Sequence, residues 1–164
     1  MFLVIHASVG ALVGNAVGSP AAAFSLSFLL HFLLDMIPHG DLVVYEGYKK
    51  RRGIRKAIIH TSLDALMVVI MLTIIFSLGH MISAEIAVAA GIVGGLLPDL
   101  LVALFELTQP KGTRWSGRQL TKFHDWHMRN HVFLIKKFFR GDVPLKYGYL
   151  IQAVVIVVLL KLIL

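Results

Sequence analysis

The sequence predicts an all-α integral membrane protein: a bundle of about five transmembrane helices with an amphipathic helix on its cytoplasmic face. Three observations lead there. Hydrophobic residues make up 57% of the 164-residue chain and charged residues only 15%, with a mean hydropathy of +0.80, whereas soluble domains hold roughly 45–50% apolar and about 25% charged residues. The apolar residues gather into runs of the length that crosses a bilayer core of about 30 Å. The net charge of +7 is concentrated between those runs. Such a chain has no room for a large extramembrane domain and reads as one membrane domain, residues 1–164.

The runs fall at about 2–18, 21–37, 57–78, 84–105 and 145–164, each close to a spanning length. In the first, Gly10, Gly14 and Gly18 repeat every four residues, which puts all three on one helix face and lets a neighbouring helix approach closely. It resembles a signal peptide in length, but it lacks a basic start and carries His6, so it is expected to be retained. Ser19 and Pro20 break the pattern and predict a tight hairpin into the second run.

Basic residues set the topology. Lys49, Lys50, Arg51, Arg52, Arg55 and Lys56 form one cluster, and Lys111, Arg114, Arg118, Lys122, Arg129, Lys136, Lys137 and Arg140 form another. Both clusters belong on the cytoplasmic side by the positive-inside rule. Five spans then put the N-terminus in the cytoplasm, the turns at 19–20 and 79–83 outside, and the C-terminus outside. This is a multi-pass protein of the cell (inner) membrane. The loop 106–144 is too long to be featureless, and its alternating aromatic and basic residues predict an interfacial amphipathic helix over about 117–140. His80, alone on the outer side near Glu85, reads as a packing residue.

Ionisable side chains inside spans are costly and point to function. With a rise of 1.5 Å per residue, His6 lies about 6 Å, His60 about 5 Å and Asp64 about 10 Å inside the cytoplasmic ends of their spans, and His31 about 9 Å inside its own. Asp35, His39 and Asp99 approach the same level. A topology derived from Lys and Arg alone therefore gathers His and Asp of four spans into one layer. His31 and Asp35 share a helix face at i, i+4, as do His60 and Asp64. Pro38 and Gly40 open the helix end and turn His39 and Asp41 toward the same cavity. His124, His127 and His131 form one stripe of the amphipathic helix, which folds over the layer as a lid.

The absence of Cys leaves nitrogen and oxygen as metal donors. Imidazole and carboxylate ligands with an open position suit a divalent metal, zinc first, with manganese or iron as the other candidates. The expected ligands are His6, His31, His39, Asp41, His60, Asp99, His124, His127 and His131. They are more than one ion needs, so two ions fit. Asp35 or Asp64 is the expected general base, with Arg55 holding an anionic group.

His6, the run LLDMIPHGD at 33–41, Arg55 with His60, Thr61 and Ser62, and the run GGLLPDL at 94–100 together resemble the YdjM-type family of bacterial and archaeal membrane-bound metal-dependent hydrolases. The likeness covers about the first 100 residues. It departs from that family in lacking a contiguous Asp-x-Asp-His and in offering Asp99 without an adjacent His. The resemblance implies hydrolysis and metal dependence.

The expected function is therefore metal-dependent hydrolysis at the cytoplasmic membrane face, with a lipidic or anionic phosphoester such as a phospholipid or polyprenyl phosphate as substrate. Two alternatives use the same layer. A di-iron oxidase or hydroxylase is the first, although its sites are nearly all His, whereas Asp35, Asp41, Asp64 and Asp99 make this one rich in carboxylates. An ion or proton transporter is the second, although almost no polar residue continues the track outward through spans three and four. Nucleic-acid binding is disfavoured, because topology explains the basic loops and no recognised module is present.

Overall fold

In the computed structural model the chain is all helical over the described residues, which are 1–78, 85–110, 114–139 and 141–163. His80, the expected outer turn at 79–83, Lys111 and Arg140 lie outside them. The helices are α1 (Leu3–Val17), α2 (Pro20–Asp35), α3 (Leu42–Lys49), α4 (Ile54–Leu78), α5 (Glu85–Thr108), α6 (Trp115–His131), α7 (Phe133–Phe138) and α8 (Leu145–Ile163).

Three helical stretches are long and apolar enough to cross a membrane: Ile54–Ser77, Glu85–Thr108 and Leu145–Leu162. The first two apolar runs form shorter helices of 15 and 16 residues, about 22 to 24 Å long at 1.5 Å per residue. Their ends explain the length. Gly18 closes α1 with a left-handed φ of 67°, a conformation glycine adopts freely, and Pro20 opens α2 at once. At the far end of α2, Pro38 lacks the N–H needed to continue the helix, and the chain turns through residues 36–41.

Two further differences from the sequence reading concern the connections. The stretch after Asp41, expected to be loop, forms α3, which is amphipathic and buries Val44. The single helix expected over about 117–140 is instead α6 and α7, separated at Val132, whose backbone (φ −92°, ψ 4°) leaves the helical range.

The small residues of α1 and α2 dock on α5. A Cβ on Gly10 or Gly14 would overlap the backbone of Gly91 or Ala87, and one on Gly94 would overlap the carbonyl of Phe24 in α2. This is the close approach for which membrane helices use glycine. The apolar core joins Val4, Ile5, Ala7 and Ala11 of α1 to Val68, Met71 and Ile75 of α4, Val88 and Ile92 of α5, and Leu159 of α8. Away from that core, α4 and α8 expose Leu66, Val69, Ile70, Val154 and Val158, an outward apolar surface of the kind a bilayer requires.

One end of the bundle collects the polar residues. There the backbone N–H groups of Leu3 and Val4 donate to the two carboxylate oxygens of Asp64, at 2.7 and 3.2 Å. The Phe2 N–H donates to Gln152 of α8 at 2.7 Å. Helix α6 is tied across this end by Asn130, whose amide donates to the Phe32 carbonyl of α2 at 2.9 Å, and by the Phe32 and Trp126 rings, whose centroids are 4.5 Å apart.

Candidate metal centre

Asp35, the last residue of α2, is the hub of this end. Its Oδ1 accepts a hydrogen bond from His6 Nε2 of α1 at 3.0 Å and also meets the Met1 amino group. Its Oδ2 faces two imidazoles, His31 Nε2 at 3.1 Å and His127 Nε2 at 3.3 Å. Asp99 Oδ1 of α5 closes the ring, 3.7 Å from His31 Nε2 and 3.8 Å from His127 Nε2. His31 and Asp35 are each 1% exposed and His127 3%. Asp99 sits at the rim, with a side chain 24% exposed.

Orientation distinguishes this group from an ordinary polar cluster. His31 donates through Nδ1 to the Gly95 carbonyl at 2.8 Å, so in the neutral imidazole Nε2 is the nitrogen free to bind an ion. That buried Nε2 makes no hydrogen bond although a carboxylate lies 3.1 Å away. The nitrogen and the oxygen lie close enough together to share one ion. A backbone carbonyl that fixes the tautomer of a ligating His is the usual outer support of a metal site. Pro98 takes part in this arrangement: lacking an N–H, it interrupts the hydrogen-bond ladder of α5 beside the carbonyl that His31 uses.

The spacings fit an ion. Ligand atoms held about 2.0 to 2.2 Å from a tetrahedral zinc lie about 3.4 Å from one another. The four separations around the His31, Asp35, His127 and Asp99 ring run from 3.1 to 3.8 Å, and all the ligand atoms lie within 4.8 Å of one another.

A second group shares Asp35. One ligand atom each of Asp35, His39 and His131 also lies within 4.8 Å of the others. His39 repeats the pattern of His31: its Nδ1 donates to the Ile37 carbonyl at 2.6 Å, and its buried Nε2 makes no hydrogen bond although Asp41 Oδ2 is 2.9 Å away. His131 Nε2 lies 3.4 Å from the same oxygen. Burial would by itself raise the Asp41 carboxyl, but His131 and His39 hold it well below the usual carboxylate range. Burial would likewise lower His131, yet Asp41 against it pushes it up. An ion at this place would compete with the proton that Asp41 favours on His131.

The local fold positions this second group. Asp142 accepts from the N–H groups of Gly40 and Leu42, at 3.0 and 3.3 Å, and so pins the turn that carries His39 and Asp41. Gly148 of α8 packs so close to the His39 carbonyl that a Cβ there would overlap it. Asp142 escaped the sequence reading because its partners are about 100 positions away.

The other expected site residues lie apart. His6 touches Asp35 and stacks on His31, with ring centroids 4.0 Å apart, so it supports the first group from behind. His60 Nδ1 is 2.9 Å from the Tyr149 hydroxyl, and the Phe2 ring packs edge-on against both. Asp64 has both oxygens engaged by the start of α1. Arg55 stands with His60. His124 faces Glu106 at 3.2 Å and Tyr45 at 3.1 Å, in a network of its own. Burial, with Glu106 beside it, raises the Tyr45 hydroxyl above its ordinary value, so Tyr45 stays protonated and donates to Glu106 at 2.8 Å. Glu106 and Tyr45 were not singled out from the sequence, where nothing links positions 61 residues apart.

Buried groups able to hold a metal ion are thus present where α1, α2, α5 and α6 meet. Compared with protein-family models, with curated proteins and with solved structures, the chain matches none.

Proposed function

We propose that this chain is a membrane-embedded, metal-dependent phosphoester hydrolase working at the cytoplasmic face. One observation carries the proposal: buried His and Asp donors gather into two groups whose ligand atoms lie within 4.8 Å of one another, with the Nε2 atoms of His31 and His39 left without hydrogen bonds. Zinc suits the imidazole and carboxylate donors best, and Asp35, common to both groups, suits a pair of ions. In this reading α1 and α2 complete a five-span topology with local thinning of the bilayer, the N-terminus is cytoplasmic and the C-terminus lies outside. The basic loops share the end that carries the site, which supports chemistry at headgroup level.

The chain's own residues divide the work. His31, Asp35, Asp99 and His127 would hold the first ion, and His39 and His131 with Asp35 would hold the second. The chemistry a divalent ion would supply there is Lewis acidity toward a phosphoester and its attacking water. His6 and the Gly95 carbonyl fix the orientation of Asp35 and His31. Asp99 uses Oδ1 toward the two imidazoles and sits at the exposed rim, so its Oδ2 takes the proton of the attacking water and returns it to the leaving oxygen as the P–O ester bond breaks. Asp64, bonded to two backbone N–H groups, is not the base.

The test is metal analysis of purified protein together with phosphate release from phosphatidate vesicles. The expected result is at least one zinc per chain, with metal and activity lost in His31→Ala and metal retained in His60→Ala. Folded wild-type protein that is free of metal at neutral pH and stays so after incubation with zinc would overturn the proposal.

A further inference from the structure

Outside the metal centre, a cavity of about 420 Å³ opens between the start of α4 and the start of α8. Arg52, Arg55 and Lys56 form its upper rim, and Ile59 and Leu63 form its lower wall. Except for Arg52, which precedes α4, these residues belong to that helix; Arg55, Ile59 and Leu63 follow one another at intervals of four on one stripe, with Lys56 beside it three residues before Ile59. The stripe is ordered by depth. Three cations come first and two branched apolar residues follow, with about 12 Å of helix between Arg55 and Leu63. Half-way down, His60 and Tyr149 close the side of the cavity with their 2.9 Å contact.

None of the three cations forms an ion pair among the described residues, in contrast to Lys49 and Lys50 of the preceding turn, which bind Glu106 and Glu46. The apolar wall is open as well: Ile59 is 48% and Leu63 58% exposed. Unpaired positive charge above an exposed apolar wall, on a helix that is long and apolar enough to cross a membrane, matches a molecule with an anionic head and a hydrocarbon tail.

We propose that this groove is a docking site for an anionic lipid, with the headgroup phosphate among Arg52, Arg55 and Lys56 and the first part of an acyl chain along Ile59 and Leu63. The proposal stands on the membrane placement of α4 and α8 and goes beyond hydrolysis, since it holds whether or not the His/Asp centre carries metal. The groove is also near that centre. Tyr149 directly follows Gly148, which packs on the His39 carbonyl, and the Phe2 ring stacks edge-on against both His60 and Tyr149. Tyr149, which lines the groove, is thus one residue along α8 from the glycine that packs on the turn carrying His39.

Native mass spectrometry of chelator-treated, detergent-solubilised protein titrated with phosphatidylglycerol or phosphatidylcholine tests this, with inorganic phosphate as competitor. Tight one-to-one retention of phosphatidylglycerol over phosphatidylcholine is expected. Each cation near an anionic surface contributes about fivefold in affinity, so R55Q/K56Q should weaken retention at least tenfold. Leu63→Asn should weaken it without altering charge. K136Q/K137Q, which removes two cations of α7 outside the groove, should leave it unchanged, and millimolar phosphate should not displace the lipid. Thermal melts of each variant confirm that it folds. Equal loss in R55Q/K56Q and K136Q/K137Q would reduce the effect to bulk charge, and displacement by phosphate alone would show a simple anion site. Either result, or retention unaffected by R55Q/K56Q, overturns the proposal.

Discussion

Two carboxylates sit at the same end of the bundle, each facing histidine, and they are built in opposite ways. Glu106 is surrounded by donors that point at it: the Tyr45 hydroxyl at 2.8 Å, Lys49 Nζ at 3.1 and 3.2 Å, and the Gln109 side-chain amide at 3.0 Å. Its network joins α3, α5 and α6 and leaves no buried atom of these side chains without a partner. Asp35 is more deeply buried, yet two imidazole nitrogens facing this part of the site, His31 Nε2 and His39 Nε2, make no hydrogen bond. Buried polar groups in native proteins are almost always satisfied, and an unsatisfied one costs about 1–3 kcal/mol. Two such nitrogens beside buried carboxylates make this cluster a candidate to hold an ion, whereas the Glu106 network is complete as it stands.

Replacement of each hub tests that contrast most strongly. Asp35→Asn removes the carboxylate common to both ligand groups, and metal content in purified protein should fall below about a tenth of wild type, in line with loss of a charged ligand. Glu106→Gln should retain full metal content. Both measurements use the same plasma mass spectrometry, so a variant pair that loses metal equally would erase the distinction between the two clusters.

A smaller effect is expected at Asp64, a carboxylate at the depth of the site but with a different partner. Both of its oxygens accept backbone N–H groups at the start of α1, the task of an N-terminal helix cap. Asp64→Ala should cost about 1–2 kcal/mol of stability, measured by denaturant or thermal unfolding in detergent, and leave metal content unchanged. Loss of metal in this variant would move Asp64 into the site.

Asp64 also shows how far sequence could reach. Depth along a span follows from residue count and the positive-inside rule, and these put His6, His31, Asp35, Asp64 and Asp99 at one level. The direction a side chain faces around its helix follows from packing. Helix α4 turns Val68, Met71 and Ile75 into the core, which sends Asp64 to the start of α1 and His60 to Tyr149, away from Asp35. Periodicity placed His127 and His131 on one stripe, but whether His124 shared their partners depended on α3. That helix lacked the length of apolar sequence that marks a span, and its Tyr45 meets Glu106 only in three dimensions. The shortness of α1 and α2 was legible in Gly18, Pro20 and Pro38, which bound the first two apolar runs at 2–18 and 21–37.

The least disruptive change is expected in the Glu106 network itself, and it separates satisfied from unsatisfied polarity. Glu106→Gln keeps an acceptor for Tyr45 and loses the charge that attracts Lys49, whose side chain is 42% exposed. Exposed ion pairs contribute about 0–1 kcal/mol, and a neutral hydrogen bond about 1 kcal/mol. The variant should therefore unfold no more than about 1–2 kcal/mol more easily than wild type, and added zinc should stabilise it by the same amount as wild type, because stabilisation by a ligand depends only on its own affinity and concentration. In Asp35→Asn the same addition should give no stabilisation. Thermal melts with and without zinc measure both quantities, and a zinc-dependent shift that disappears in Glu106→Gln would mean that the two clusters act as one.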